Sequence, residues 1–242
     1  SPVAANTEVE AEGTPPAPRY GHSATMVGTN MIVVGGQSGT KQFNDVWSLS
    51  TNDPFVWTQV TCDGPAPSPR TRHTATLIKG GELLVMGGFS RKDRVVGDAF
   101  MLKVNGDSGS WRAWEPTEGA LPPNRAQHTV TAHPDGEHVY VFGGYDGEKN
   151  SNDMWVMNVP KASSAEVKCT VKPETRSRHA AHIMGSQLWI FCGHDGMKPH
   201  LAEVWTLDVD DVRGHLANGL EAAKSAKKEK EDEKKEEEED ED

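Results

Sequence analysis

Four short apolar runs, each ending in glycine, recur along the 242-residue chain. They are MIVVGG (31–36), ELLVMGG (82–88), HVYVFGG (138–144) and QLWIFCG (187–193). Unbroken apolar runs of this length predict β-strands that are covered on both faces. A second segment follows each run, such as DVWSL (45–49), AFMLKV (99–104) and VWTLDV (204–209), and predicts a further strand; in DVWSL the alternation points Trp47 inward. The pattern therefore predicts an all-β chain.

Polar residues recur in phase with these strands. An Arg stands three residues before a His in each block: Arg19–His22, Arg70–His73, Arg125–His128 and Arg176–His179. An acid stands two residues before an aromatic: Asp45/Trp47, Asp98/Phe100, Asp153/Trp155 and Glu203/Trp205. The steps between the histidines are 51, 55 and 51 residues. A repeat of this length made of short strands is typical of the blades of a β-propeller.

The first block predicts the strands of one blade in order from the axis to the rim. Its strands are expected at 21–28, 31–34, 45–49 and 56–60, the last of which is the rim strand. The rim strands of the second and third blades are expected at 111–114 and 166–171. In the fourth block, residues 209–219 lack the alternation of a rim strand. Because residues 6–19 align with 57–70, we predict that residues 6–11 supply the missing rim strand and close the ring.

The double glycine, the spaced acid and tryptophan, and the Pro-x-Arg-x-x-His lead-in resemble the kelch repeat. The chain is similar to kelch proteins without a BTB domain, such as the Rab9 effector with kelch motifs and the host cell factor type. The resemblance implies a kelch-type β-propeller with four recognisable blades, at about 18–68, 69–123, 124–174 and 175–210. The propeller is predicted to span 1–217, as a closed four-bladed ring or as part of a larger propeller; both alternatives stay open.

A set of residues is predicted to serve the repeat architecture. The glycines lack a Cβ atom and let an aromatic ring lie against the backbone, and the aromatics point inward from the third strand. The set is Gly35, Gly36, Trp47, Gly87, Gly88, Phe100, Gly143, Gly144, Trp155, Gly193 and Trp205. The repeated histidines are interpreted as hydrogen-bonded parts of the innermost strands.

The formal net charge is −11, and the last 22 residues account for −6 of it. Residues 218–242 are therefore predicted to form a charged low-complexity tail, either disordered or a solvated helix. Three cysteines with no framework spacing fit a reducing compartment, and a cytoplasmic location is expected. Cys192 is expected to be a buried, inert thiol. No apolar stretch approaches the length needed to cross a bilayer, so no membrane insertion is expected.

The loops that enter the innermost strands, and those between the second and third strands, are expected on one face of the propeller. This face is expected to carry many basic residues, among them Arg72, Arg178, Lys41 and Lys198. The predicted partner contacts are Arg19, Arg70, Arg91, Lys92, Arg94, Arg125, Lys149 and Arg176. Guanidinium groups suit the recognition of carboxylates and phosphates. The alternative for the four repeated arginines is a structural role within each blade, and their repetition favours it. Arg91, Lys92, Arg94 and Lys149 are then the better candidates for partner contact.

The function predicted from these patterns is a protein–protein interaction platform that binds an acidic or phosphorylated segment. The alternatives are a structural block of a cytoskeletal or ciliary assembly and a substrate adaptor in a ubiquitin-ligase scaffold, and a place in a multi-protein complex fits all three. No catalytic motif is present, and a Glu-xxx-Asp-xxx-His iron motif fails because Leu207 takes the place of the Glu. The expectations are no enzyme activity, no metal, no cofactor and no nucleic acid.

Overall fold

The computed structural model describes residues 10–197 and 201–240. Sixteen strands are assigned among them, and fifteen of these form four antiparallel groups, which we call blades 1 to 4. Parallel pairing between β4 and β8 joins blades 1 and 2 into one eight-stranded sheet. Blade 1 contains β1 (Ser23–Val27), β2 (Asn30–Ser38), β3 (Lys41–Ser50) and β4 (Trp57–Asp63). Blade 2 contains β5 (Thr74–Ile78), β6 (Glu82–Ser90), β7 (Arg94–Asn105) and β8 (Ser108–Trp114). The prediction of an all-β chain built from repeated blades is confirmed.

A two-residue strand, β9 (Glu118–Gly119), follows blade 2. Blade 3 contains β10 (Thr129–Ala132), β11 (His138–Tyr145), β12 (Asn150–Asn158) and β13 (Ser163–Glu166). Blade 4 contains β14 (Ala180–Met184), β15 (Gln187–Phe191) and β16 (Val204–Asp208). The innermost strands lie side by side, with β5 against β1, β10 against β5, and β14 against β10. The four blades therefore follow one another around an axis.

The core lies between the blades rather than within any one of them. Blades 1 and 2 bury one apolar cluster, blades 2 and 3 a second, and blades 3 and 4 a third. The central strand of each blade carries alternate side chains to its two neighbours. Leu83 and Val85 face blade 1, whereas Leu84 and Met86 face blade 3, and all four are fully buried. Burial on both sides explains why these strands read as unbroken apolar runs.

The glycine pair that ends each central strand forms a bulge in the ladder. The register between the second and third strands shifts there in blades 1 to 3, for example between Val34 and Gly36. Gly35 and Gly36 have φ values of +58° and +93°, a region that glycine enters without steric strain. The bulge turns the backbone so that the neighbouring loop can approach it.

The third rim strand differs from the prediction. The sequence predicted 166–171, but β13 begins at Ser163, because the turn after β12 is short. The side chain of Asn158 accepts a hydrogen bond from the Lys161 backbone N–H at 3.0 Å, and Ala162 adopts φ +50°. The chain reverses direction within these few residues and pairs with β12 at once.

After β16 the chain forms a helix, α1 (Val212–Asp240). Asp211 caps its first turn, where its side chain accepts the Gly214 N–H at 3.0 Å. Val212 and Leu216 are buried in the cluster between blades 3 and 4, so the helix covers part of blade 3. The sequence placed the start of the tail at 218, inside this helix. Residues 6–9 of the predicted closing strand 6–11 lie outside the described residues, and Glu10 and Ala11 are not assigned to a strand.

Candidate functional site

Each blade contains the same ion pair, made by a buried repeated Arg and a partly exposed acid near the start of the third strand. In blade 2 the Arg70 guanidinium donates to both carboxylate oxygens of Asp98, at 2.7 and 2.9 Å, and to the Gly87 carbonyl at 3.0 Å. The other pairs are Arg19–Asp45, Arg125–Asp153 and Arg176–Glu203. The Arg thus ties the entry loop of its blade to the bulge of its central strand.

The four arginine side chains are almost completely buried, at 4% exposure or less. Burial raises the pKa of the Asp45 carboxyl, but hydrogen bonds from Arg19 and Trp47 and the Arg19 charge outweigh it and hold the pKa below its ordinary value. The pKa of Asp153 is lowered in the same way, against its burial, by Arg125. The guanidinium groups of Arg19, Arg70, Arg125 and Arg176 are thus buried and paired within their own blades and are not exposed to a partner.

The tryptophans of the third strands extend this network. The indole N–H of Trp47 donates to Asp45 at 2.8 Å, and that of Trp155 donates to Asp153 at 2.7 Å. Phe100 has no such donor; it packs edge-on against Trp111 with 6.4 Å between ring centroids. In blades 1 and 3 the spacing of acid and aromatic therefore reflects a hydrogen bond within the blade, whereas in blade 4 the buried indole N–H of Trp205 has no hydrogen-bond partner among the described residues.

Three of the four repeated histidines lie in a cradle formed by the preceding blade. The Nε2 atom of His73 lies 3.0 Å from the Ser23 hydroxyl, and a Cβ on Gly35 would stand only 3.1 Å from the ring. In the same way, the Nε2 atom of His128 contacts the Thr74 hydroxyl and that of His179 contacts the Thr129 hydroxyl. The sequence predicted that an aromatic ring would lie against the glycine backbone. In the structure that ring is the imidazole of the histidine from the next blade. Burial, with nearby arginine charge, lowers the pKa of His73 to about 3 and that of His179 to about 4.

On its outer side, blade 4 lacks the residues that in blades 1 to 3 form the cradle for the histidine of the next blade. Ala180 stands where blades 1 to 3 have Ser23, Thr74 and Thr129, and Cys192 stands where they have the first glycine of the pair. Cys192 is exposed, with φ +56°. The expectation of a buried thiol was wrong, because among the described residues no following blade packs against this position.

A series of three backbone hydrogen bonds links the four blades at the mouth of the axis. Each blade contributes the residue two positions after the repeated Arg: Gly21, Arg72, Gln127 and Arg178. The Arg72 N–H donates to the Gly21 carbonyl at 2.7 Å, Gln127 to Arg72 at 3.0 Å, and Arg178 to Gln127 at 3.0 Å. We call these four residues the axial ring.

The axial ring holds two exposed arginines in an unfavourable backbone conformation. Arg72, Gln127 and Arg178 have φ values of +59°, +59° and +56°, where a side chain costs about 1–2 kcal/mol relative to the right-handed region. Glycine occupies the equivalent position in blade 1. Strain of this kind, held in place by the surrounding structure, is concentrated at functional sites in proteins.

The axial ring borders a cavity of about 580 Å³ on the loop face. Its basic lining residues are Arg72, Lys149 and Arg178, and its acidic ones are Glu148 and Asp195. The Arg178 Nε donates to the Gln127 side chain at 3.2 Å. Within the described ranges, no carboxylate forms an ion pair with Arg72, Arg178 or Lys149. The cavity can therefore accept an anionic group.

The loops between the second and third strands extend this face outward. Arg91 donates to the Thr40 carbonyl at 2.6 Å, which joins the loop of blade 2 to that of blade 1. Asn150 donates to the His194 carbonyl at 2.8 Å and joins blade 3 to blade 4. Arg91, Lys92, Arg94 and Lys149 are all exposed, as partner contact requires, but only Lys149 lines the cavity.

Sequence reasoning placed Arg72 and Arg178 on this face but did not select them as contacts. The sequence feature that distinguishes these two arginines is the Arg-x-Arg-His motif of blades 2 and 4, at 70–73 and 176–179. In the part of the chain that the structure describes, no group of His, Cys, Asp and Glu is arranged to hold a metal ion. No described helix is long and apolar enough to span a membrane.

The repeated Arg–acid pair, the glycine bulge and the cradled histidine define a kelch-type β-propeller. The family model described as the attractin/LZTR1 β-propeller matches residues 4–194, and the chain belongs to that family. Kelch-type propellers generally mediate protein–protein interactions.

Curated relatives share the propeller within much longer proteins. The flagellar outer-arm dynein alpha chain of Chlamydomonas reinhardtii is 38% identical over 61% of this chain and 3% of its own. An F-box/kelch-repeat protein of Arabidopsis thaliana is 26% identical over 81% of this chain and 45% of its own. Tip elongation aberrant protein 1 of Schizosaccharomyces pombe is 31% identical over 65% and 14%. The chain thus spans less than half the length of each.

The kelch-propeller family is typically non-enzymatic. One relative, at 28% identity, is named a serine/threonine-protein phosphatase of Arabidopsis thaliana, but the match covers 20% of that protein.

Proposed function

We propose that the chain is a protein-interaction platform whose loop face binds an acidic or phosphorylated segment of a partner at the axial ring. The observation that carries this proposal is the pair of exposed arginines, Arg72 and Arg178, held at positive φ beside the cavity. Gln127 has the same positive φ in blade 3, so the conformation belongs to the turn that the blades share, and this turn presents the exposed guanidinium groups of Arg72 and Arg178 to the cavity. Guanidinium groups bind carboxylates and phosphates through two parallel hydrogen bonds.

The charge distribution supports an anionic ligand even though the whole chain is acidic. The repeated arginines are neutralised inside the blades, so the free positive charge of the face comes from Arg72, Arg178 and Lys149. Arg91, Lys92 and Arg94 on the loop of blade 2 add a second basic edge outside the cavity. An acidic segment lying from the axial ring toward this loop meets these cations, which outnumber the acids Asp93, Glu148 and Asp195 along the same path.

Fluorescence anisotropy with a labelled hexaglutamate peptide tests the proposal. Replacing Arg72 and Arg178 together by Gln should weaken binding at least tenfold, because two charge-assisted contacts are lost. The matched control is Lys103→Gln, an exposed lysine near the opposite end of blade 2, which should leave the affinity unchanged. Equal affinity of the wild type and the double variant would contradict the proposal.

A second candidate function is favoured by the flagellar dynein relative. In it, the chain is a structural block of a cytoskeletal or ciliary assembly, held through blade sides rather than through the loop face. The dependence of partner binding on salt concentration distinguishes the two candidate functions. Binding of an acidic segment at the axial ring should weaken steeply as ionic strength rises, whereas an apolar side-on interface should not.

A further inference from the structure

Exposed apolar side chains lie beside the axial ring on the loop face. The residue that follows the glycine pair is Phe89 in blade 2 and Tyr145 in blade 3, and each is 37% exposed. Met197, which lies between β15 and β16, is 92% exposed. Tyr145 and Met197 line the same cavity as Arg72 and Arg178. The cavity therefore combines cationic and apolar contact surface.

Backbone hydrogen bonds hold the two aromatic residues next to the axial ring. Phe89 exchanges two of them with Thr71, at 2.8 and 3.0 Å, and Tyr145 exchanges two with Ala126, at 2.8 and 2.9 Å. Thr71 and Ala126 immediately precede the axial-ring residues of their blades. The backbone at these positions is thus fixed before a ligand binds, which lowers the entropic cost of packing on the rings.

Tyr145 offers a ligand its ring rather than its hydroxyl proton. The hydroxyl donates to the Gly147 carbonyl at 2.6 Å within the same loop. A single exposed aromatic residue is ordinary on a protein surface, but one that shares a cavity with a methionine and two arginines is typical of an interaction site. Tyrosine, methionine and arginine are among the residue types that are enriched in protein–protein interfaces.

The charges that line the cavity restrict which anions it can bind. Three cationic side chains, Arg72, Lys149 and Arg178, are accompanied by two acidic ones, Glu148 and Asp195. The net positive charge of the lining is therefore small. A closely spaced run of anions would bring some of them near Glu148 and Asp195, and like charges across an interface are unfavourable. A ligand whose anionic group is flanked by uncharged side chains avoids this repulsion.

We propose that the segment bound at the axial ring is amphipathic. An acidic residue of the segment contacts Arg72 and Arg178, and a neighbouring apolar side chain packs on Tyr145 and Met197. This inference rests on the proposed function and names the kind of acidic segment that the cavity selects. The ionic contacts weaken as the salt concentration rises, whereas the apolar contact does not. The apolar contact therefore supplies affinity that persists at physiological ionic strength.

Two labelled hexapeptides of equal charge test the proposal by fluorescence anisotropy with the full chain. One alternates glutamate with leucine, and the other alternates glutamate with serine. The leucine peptide should bind at least about tenfold more tightly, because partial burial of one leucine side chain contributes about that factor. The ratio of the two affinities should be maintained when the salt concentration is raised, since both peptides make the same ionic contacts.

Removal of the apolar side chains of the cavity should abolish this preference. In the Tyr145→Ser, Met197→Ser variant the two peptides should bind within about threefold of each other, with the affinity for the serine peptide unchanged. Met197→Ser alone gives a second readout, because a side chain that is 92% exposed contributes little to folding, and it should reduce the ratio of the two affinities. Met184→Ser is the matched control, since Met184 is an exposed methionine of β14 that does not line the cavity, and it should keep the wild-type ratio. A preference that survives in the Tyr145→Ser, Met197→Ser variant would overturn the proposal.

The outcomes distinguish this inference from the proposed function. Equal affinities for the two peptides, both lowered in the Arg72→Gln, Arg178→Gln variant, would overturn the inference and leave the proposed function standing. Failure of both peptides to bind would contradict the proposed function and the inference with it. A labelled oligothymidylate of about six nucleotides represents the other ligand class, because arginines beside exposed aromatic residues also suit single-stranded nucleic acid. Tighter binding of this oligonucleotide than of the leucine peptide would overturn the inference.

Discussion

The guanidinium of Arg70 meets the carboxylate of Asp98 through two hydrogen bonds, at 2.7 and 2.9 Å, although the two residues are 28 positions apart in the chain. The same guanidinium also holds the Gly87 carbonyl. One side chain thus joins the entry loop, the central strand and the third strand of blade 2. This arrangement recurs in each blade, which explains why the three elements are repeated together in the sequence.

Removal of this arginine should destabilise the fold. Arg70→Met leaves the buried Gly87 carbonyl without its donor and the half-exposed Asp98 carboxylate without its partner, and an unsatisfied buried polar group costs about 1–3 kcal/mol. Urea unfolding followed by circular dichroism measures the loss. Arg112→Met is the control, because Arg112 forms an exposed pair with Glu82 and such a pair contributes about 0–1 kcal/mol. Similar losses in the two variants would contradict the structural role.

The cradled histidines should make the fold sensitive to mild acid. Their pKa is lowered in the folded state, to about 3 for His73 and about 4 for His179, so the folded protein keeps them neutral. Below pH 6.5 the unfolded chain binds protons that the folded chain does not bind. The free energy of unfolding should therefore fall as the pH drops from 6.5 toward 4, by up to about 1.4 kcal/mol per pH unit for each histidine.

Melting temperatures between pH 7.5 and pH 4.5 check this expectation. His73→Asn should reduce the slope, because one group no longer differs in protonation between the two states. His182→Asn should not, since His182 is exposed on β14. A melting temperature that stays constant from pH 7 to pH 4.5 would rule out the burial of neutral imidazoles.

Arg72→Gly should separate stability from binding. Glycine adopts φ +59° without strain, as Gly21 does at the equivalent position, so the free energy of unfolding should rise by up to about 1 kcal/mol. Binding of the hexaglutamate peptide should weaken at the same time. A variant that is both less stable and equally tight in binding would show that the conformation of Arg72 has no functional reason.

The three cysteines should react at different rates. Cys192 is exposed, whereas Cys62 and Cys169 are half-buried and burial raises the pKa of both thiols. Ellman's reagent should therefore modify one thiol quickly in the folded protein and the other two slowly. Cys192→Gly should remove the fast phase. Three equal rates before unfolding would contradict the placement of these residues.

Much of this architecture is readable from the sequence because the repeat is strict. The glycine pairs, the acid–aromatic spacing and the Arg–His spacing each correspond to a contact that recurs in two or more blades, so four copies in phase predict the blades. The third rim strand was misplaced because its position depends on the local turn at Asn158 and Ala162, which the repeat does not encode.

The candidate site was harder to predict for a related reason. Sequence alone cannot tell a buried guanidinium from an exposed one, so the repeated Arg70 and the axial Arg72 look alike although one is neutralised and the other is free. Helix α1 was missed as a packing element because Val212, Leu216 and Leu220 are only three apolar positions at helical spacing, followed by a charged run.

The most direct test of the account is hydrogen–deuterium exchange of the full chain with and without the hexaglutamate peptide. The account predicts that peptide-induced protection is concentrated in the axial ring and the adjoining cavity loop, in fragments that contain residues 71–73, 126–128, 145–150 and 177–179. Protection confined to blade 4 or to α1, with none at the axial ring, would contradict it.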